Sequence, residues 1–344
     1  MNLYNNYSLQ QHNTFGIDVN AKYFAAFTTI DELRKLLGYR SQTGNPLTIL
    51  GGGSNILFLK NIDGIVIKNQ LKGIELIKED AHHYYVKAAA GESWHSFVMH
   101  CIKHNYAGLE NLSLIPGYVG ASPMQNIGAY GVEIKTVFES LNALNIEDGI
   151  IHAFSTNDCR FGYRESIFKR EYKDQFIILN VTYRLNKQPA FNTSYGAIEQ
   201  ELEKMGVKKL SIQAIAQAVI NIRRSKLPDP AEIGNAGSFF KNPAISVKQF
   251  QSLHNVYEKM PHYAVDDDYV KIPAAWLIEE CGWKGYRKGD AGVHIYQPLV
   301  LVNYAHAKGE EIYALSEDIL KSVKSKFDIE LEREVNIMPS QQPV

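Results

Sequence analysis

The chain has 344 residues, 45% apolar and 21% charged. These globular values exclude a disordered or low-complexity protein, and the length calls for two or three domains. Lys and Arg number 36 against 37 Asp and Glu, for a net charge of -1, which offers no general attraction for nucleic acid or an anionic membrane. The three cysteines, Cys101, Cys159 and Cys281, form neither a CxxC metal pair nor a disulfide framework. The stretch up to Asn13 is polar and has no signal-peptide pattern, and no apolar run approaches the ~20 residues of a membrane span. A soluble cytoplasmic protein is expected, with no nucleic-acid or membrane partner and no metal.

In chain order, a helix is expected over 31–37. An apolar strand, Leu47–Leu50, then runs into Gly51-Gly52-Gly53-Ser54-Asn55. Short strands follow at 56–59, 64–67, 74–77 and 84–88. Residues 93–104 read as a helix with Trp94, Phe97, Val98, Cys101 and Ile102 on one stripe. Its His95, His100 and His104 make a poor metal site, because only His100 and His104 share a face. Residues 112–131 form a long loop of small, mostly uncharged residues. Strands at 138–146 and 150–154 flank Glu147-Asp148-Gly149 as a hairpin, and 176–185 is another strand. Helices at 197–205 and 211–224 precede Leu227-Pro228-Asp229-Pro230, which cannot continue a helix and is the clearest linker. Beyond it lies a smaller α/β unit, with helices at 247–257, 274–281 and 310–327 and strands at 299–302 and 329–335.

Two regions are rich in glycine. The Gly51–Asn55 loop fails the dinucleotide pattern G-x-G-x-x-G, because Ile56 stands where the third glycine belongs and a strand follows in place of a helix. It is either a loop whose backbone N–H groups cradle a phosphate or a plain turn. The second region, Pro116-Gly117-Tyr118-Val119-Gly120-Ala121-Ser122-Pro123 and Asn126-Ile127-Gly128-Ala129-Tyr130-Gly131, suits a backbone that wraps a large ligand, or an ordinary buried loop. Two such loops, neither Rossmann-like, point to a flavin dinucleotide held in another fold.

Arg160-Phe161-Gly162-Tyr163-Arg164 offers two guanidiniums for a carboxylate or phosphate, or a surface pair. Arg223, Arg224 and Lys226 read as a solvated helix end. In Gly234-Asn235-Ala236-Gly237-Ser238-Phe239-Phe240-Lys241-Asn242-Pro243, an extended chain puts Ser238, Phe240 and Asn242 on one face and Phe239 and Lys241 on the other. That suits a polar substrate pocket, or a turn entering a core strand. Glu332 and Glu334 share one face of the last strand, with Arg333 on the other. No GxSxG elbow marks Ser238 as a nucleophile; it could protonate a strongly basic carbanion with help from Lys or water.

Together and in this order, Asn13-Thr14-Phe15 and the segments 51–55, 116–131, 159–164, 223–230, 234–243 and 331–335 resemble the UDP-N-acetylenolpyruvoylglucosamine reductase family over nearly the whole chain. The resemblance implies an α+β protein: a two-part FAD-binding fold of the vanillyl-alcohol oxidase type at 1–70 and 71–226, then a smaller α/β substrate-binding domain at 227–330. A terminal strand within 331–344 is implied to return to the active site. Implied too are non-covalent FAD and NADPH as co-substrate, with hydride passing from reduced flavin to the vinyl carbon of the enolpyruvyl UDP-sugar. Of the catalytic residues, Ser238 is implied to give the proton, Arg164 to hold the enolpyruvyl carboxylate and Glu334 to complete the site. FAD is expected at Gly51, Gly52, Gly53, Ser54 and Asn55, at Pro116, Gly117, Gly120 and Ser122, and at Gly128, Tyr130 and Gly131. The substrate is expected at Tyr195, Lys226, Asn242, Tyr263 and Gln297, with Tyr263 as the tyrosine of an extra loop found in one subclass. A monomer acting on a small molecule follows.

Arg333 sits where relatives often have proline. The competing enzyme is a flavin-dependent sugar or alcohol oxidase of the same fold, which leaves Ser238 without a role. A catalytically silent nucleotide-sugar binding module would need neither Ser238 nor Glu334.

Overall fold

The computed structural model describes residues 2–339; Met1 and residues 340–344 of the expected terminal segment lie outside the described residues. The chain forms two compact units that do not follow its order. One takes 21–52 and 63–225 with the first few residues; the other takes 8–20, 53–62 and everything described from 226 onward.

In the first unit, one sheet runs Tyr4–Ser8, Asn20–Phe27, Ile62–Asn69, Leu47–Leu50. Its last two strands are parallel, with Leu47 opposite Ile65 and Leu50 opposite Lys68. The helix Ile30–Thr43 makes the crossover between strands, and Leu33, Leu36 and Leu37 seal it against Phe27, Ile65 and Ile67. It is longer than the 31–37 expected. A Thr29–Glu32 capping box starts it and left-handed Gly44 ends it, so its length follows its caps and not its three apolar residues. A second, antiparallel sheet has the order Ile151–Ser155, Phe138–Asn145, Phe176–Asn186, His83–Ala89, Ile74–Glu79, and includes the expected hairpin. The helix Trp94–Lys103, capped by the Ser93 side chain, buries its apolar stripe on that sheet beside Tyr183. Helices Gly196–Lys204 and Ile212–Lys226 pack through Ile198, Leu202, Ile215 and Val219.

Among the described residues, the second unit has three small sheets. Gly234–Ser238, Val300–Asn303, Ala291–Val293 and Arg287–Lys288 form the first, and Ala244–Ser246, Tyr269–Lys271 and Tyr263–Ala264 the second. In the third, Ile56–Phe58 pairs in parallel with Asn336–Met338. Helices Val247–His254, Ala274–Glu280 and Gly309–Phe327 complete it. The core holds Phe15, Phe239, Phe240, Ile278, Ile312 and Ile319, all at most 1% exposed. The strand expected at 329–335 is absent. That segment makes a single bridge, Phe240 to Arg333, and the regular pairing begins at Asn336. No helix among the described residues is long and apolar enough to cross a membrane.

Candidate active site

The strand Leu47–Leu50 delivers Gly51 and Gly52 against the second glycine-rich loop. A Cβ on Gly52 would lie 3.0 Å from the Gly117 Cα and 3.3 Å from the Tyr118 ring, whereas one on Gly51 would find Tyr118 at 3.7 Å. Loop 116–122 is clamped from behind. Trp94 donates its amide to the Gly117 carbonyl, Val119 to that of Glu92 and Gly120 to that of Ala90, each at 2.9 Å. Trp94 also donates its indole N–H to the Leu112 carbonyl at 2.9 Å. Ser122 is turned inward, its hydroxyl bonded to the Val119 carbonyl and the Tyr183 hydroxyl, both at 2.7 Å. Pro116 stands exposed at the start of the loop.

Gly53 belongs to the other unit. It adopts φ +64, and a Cβ there would lie 2.0 Å from the His12 carbonyl. The backbone at 12–13 therefore requires glycine at 53, whatever the loop binds. Of its two partly buried neighbours, Ser54 continues the turn and Asn55 donates its side-chain amide to the Glu334 carbonyl at 3.2 Å.

The two arginines of 160–164 separate. Arg160 is exposed and pairs with Glu171 at 2.8 Å. Arg164 adopts φ +53, donates Nη2 to the Gly128 carbonyl at 2.7 Å and lies over the Tyr163 ring. Gly128 starts a short hairpin that turns through Tyr130 and Gly131. Tyr130 packs edge-on against Tyr195, with ring centroids 5.3 Å apart.

Arg224 and Lys226 form the exposed helix end expected of them, but Arg223 does not. Its Nε donates to the Leu114 carbonyl at 3.1 Å, and it also hydrogen-bonds the Tyr130 side chain. The Leu114 amide in turn donates to Nδ1 of His95 at 3.0 Å.

In the second unit, Gly237 takes φ +70 where the pairing with Val300–Asn303 shifts register, and Ser238 resumes the pairing opposite Val300. Ser238 is exposed, yet Phe239 and Phe240 beyond it are 0% and 1% exposed. Phe240 therefore does not share a ligand-side face with Ser238 and Asn242: the strand ends at Ser238, and strict alternation does not continue past it. Three backbone bonds gather the neighbours of Ser238. Phe239 donates to the Leu299 carbonyl at 2.7 Å, Glu334 donates to the Phe239 carbonyl at 2.8 Å, and Val300 donates to that of Gln297 at 3.0 Å. Lys241, 7% exposed, pairs with Glu332 at 2.6 Å, which gives Glu332 a structural partner. Asn242 accepts the Ala274 amide at the start of a helix at 2.9 Å. Tyr263, 57% exposed, stands on the short strand beyond Tyr269–Lys271.

Arg223 is thus not part of a solvated helix end, His95 holds a loop where the sequence suggested only a poor metal site, and His294 carries no signal in the sequence. His294 is 7% exposed and donates its amide to the Val300 carbonyl at 2.9 Å. Burial holds its pKa below the usual histidine value.

An α+β chain with two apposed glycine loops in one unit and, in the other, an exposed serine whose strand neighbours bond to the backbones of a glutamate and a glutamine segment has the organisation of a flavoprotein oxidoreductase. Comparison with known proteins agrees. Residues 21–155 match the family model described as FAD binding domain, and residues 229–338 match UDP-N-acetylenolpyruvoylglucosamine reductase, C-terminal domain. The chain is 53% identical over 338 residues to the UDP-N-acetylenolpyruvoylglucosamine reductase of Amoebophilus asiaticus, covering 98% of this chain and 100% of that one. It is 47% identical over 330 residues to the Pseudomonas putida reductase, covering 96% and 97%. The crystal structure of the Thermus caldophilus enzyme shares the fold, with a TM-score of 0.65, 21% identity and 98% coverage of each chain. The chain belongs to the UDP-N-acetylenolpyruvoylglucosamine reductase family, and is an FAD-containing oxidoreductase.

Proposed function

We propose that this protein reduces the enolpyruvyl group of UDP-N-acetylenolpyruvoylglucosamine to UDP-N-acetylmuramate, a peptidoglycan precursor, using NADPH. Residues 1–70 and 71–226 serve the flavin, and 227–330 the sugar nucleotide. The paired loops fit FAD: they are uncharged where they meet, and their backbones approach so closely at Gly52 and Gly117 that one added Cβ would crowd them. Bound FAD supplies the two-electron chemistry that links NADPH to the vinyl carbon. Ser122 braces the loop from inside, while Gly51, Gly52, Gly117 and Gly120 present backbone.

Arg164 receives the substrate carboxylate. Its φ of +53 and its bond to Gly128 fix one edge of the guanidinium, so it meets the growing negative charge without reorganising. Ser238 gives a proton to the carbon that bears the carboxylate. A hydroxyl is a weak acid, which suits a strongly basic carbanion and little else. Glu334 and Gln297 complete the surroundings of Ser238, and Tyr195, Lys226, Asn242 and Tyr263 bind the sugar nucleotide.

The observation that carries this reading is the exposed Ser238, whose strand partner Val300 bonds to the Gln297 carbonyl and whose next residue, Phe239, accepts the Glu334 amide. Anaerobic rapid mixing tests it. Ser238→Ala should keep flavin reduction by NADPH and lose flavin reoxidation by the enolpyruvyl sugar nucleotide. Equal loss of both half-reactions would reassign Ser238 to folding or flavin binding.

A further inference from the structure

Leu114 sits in the left-handed region at φ +58, where a bulky apolar residue stays only if its surroundings hold it. Two side chains do so: His95 Nδ1 accepts its amide at 3.0 Å, and Arg223 Nε donates to its carbonyl at 3.1 Å. Two residues on, Pro116 opens the loop that ends at Ser122. His95 lies on the first turn of the helix Trp94–Lys103, directly after Trp94, which grips Gly117 and Leu112. Neighbouring residues of one helix thus fix the entry to the loop and its first glycine.

We propose that His95 is a positioning residue for the flavin: by accepting the Leu114 amide it sets the left-handed turn that delivers loop 116–122 to the cofactor. The proposal rests on the reading that this loop holds FAD. An imidazole nitrogen that accepts an amide proton is itself unprotonated, so His95 is neutral with its proton on Nε2. Burial, then the charges of Arg224 and Arg223, hold it below the usual histidine range, which keeps the bond intact at neutral pH. Acid would turn the acceptor into a donor and leave the Leu114 amide facing another N–H. FAD affinity should therefore fall as pH drops through the pKa of His95.

The test is titration of apoprotein with FAD, followed by flavin fluorescence at several pH values, with circular dichroism to confirm folding. His95→Ala should bind FAD about tenfold more weakly at neutral pH, the effect of an orphaned amide. His95→Asn places an oxygen close to the Nδ1 position and does not titrate, so it should recover most of the affinity and lose the fall in acid. Wild-type affinity in His95→Ala, no rescue by Asn, or an unchanged acid fall in His95→Asn would each overturn the proposal. Gly117→Val, which distorts the loop directly, separates the two ideas. Unchanged FAD binding there removes the loop from the cofactor site, and His95 with it. Weakened binding there beside a normal His95→Ala refutes the role of His95 alone.

Discussion

Replacing Gly52 by alanine places a Cβ 3.0 Å from the Gly117 Cα and 3.3 Å from the Tyr118 ring, against the ~3.5–4.0 Å of a relaxed carbon contact. Relief requires the two glycine loops to part by ~0.5–1 Å. Loop 116–122 cannot follow freely, because its bonds to Trp94, Glu92 and Ala90 are each 2.9 Å long, and such a shift stretches them past useful length. Losing the net worth of one or two of them, at ~1 kcal/mol each, predicts FAD binding weaker by ~5- to 30-fold. The assay is fluorescence titration of apoprotein, paired with thermal melts of the apo form. Gly51→Ala is the control, since its Cβ would find Tyr118 at 3.7 Å, an ordinary contact. Wild-type affinity in Gly52→Ala would refute the reasoning. Equal weakening in Gly51→Ala would place the damage at the ligand and not between the loops.

Three further outcomes are expected. Arg164→Lys keeps the charge but loses the planar fork, so flavin reoxidation by substrate should slow ~100-fold while reduction by NADPH changes little, as half-reaction kinetics would show. Glu332→Gln leaves the Lys241 ammonium, 8% exposed at its side chain, without its counter-charge. Because Glu332 itself is open to solvent, the loss should be only ~1–2 kcal/mol in denaturant melts, and adding Lys241→Met should recover it. Burial pushes the Cys159 thiol up to about 12 and raises that of Cys101 as well, whereas Cys281 is only partly buried. A chromogenic disulfide should therefore titrate one thiol in the native protein and all three after denaturation; a second fast thiol in the native state would contradict this.

Elements with local signals were legible in the sequence. Leu47–Leu50, the hairpin around Asp148 and the stripe of Trp94–Lys103 each carry their own period and punctuation. Asn20–Phe27 carries no clean alternation of apolar and polar residues in its sequence; it is a strand because its neighbours in the sheet make it one. The segment 329–335 failed in the opposite way. Leu331 and Val335 are buried and Glu332 exposed, a strand-like pattern, but side-chain period does not say where a pairing partner runs out. At the site, residue types were readable and their environments were not. Nothing in Arg160-Phe161-Gly162-Tyr163-Arg164 tells that one guanidinium meets Glu171 and the other Gly128. Arg223 looked solvated because helix ends usually are, and only the loop at Leu114, 109 residues away, reveals its work.

The parallel pairing of Ile56–Phe58 with Asn336–Met338 bears on synthesis. Asn55 and Glu334, which that pairing brings together, are 279 residues apart, and closing so long a span costs ~5 kcal/mol of chain entropy. During translation, residues 63–225 can leave the ribosome as an unbroken stretch and condense. Segments 8–20 and 53–62 must wait for the residues from 226 onward, made later. Through that interval the Ile56-Leu57-Phe58 edge is an unpaired apolar strand, the kind of surface that chaperones hold and that aggregates when they do not. Slow elongation or a shortage of chaperone should therefore lower the yield of the second unit before the first.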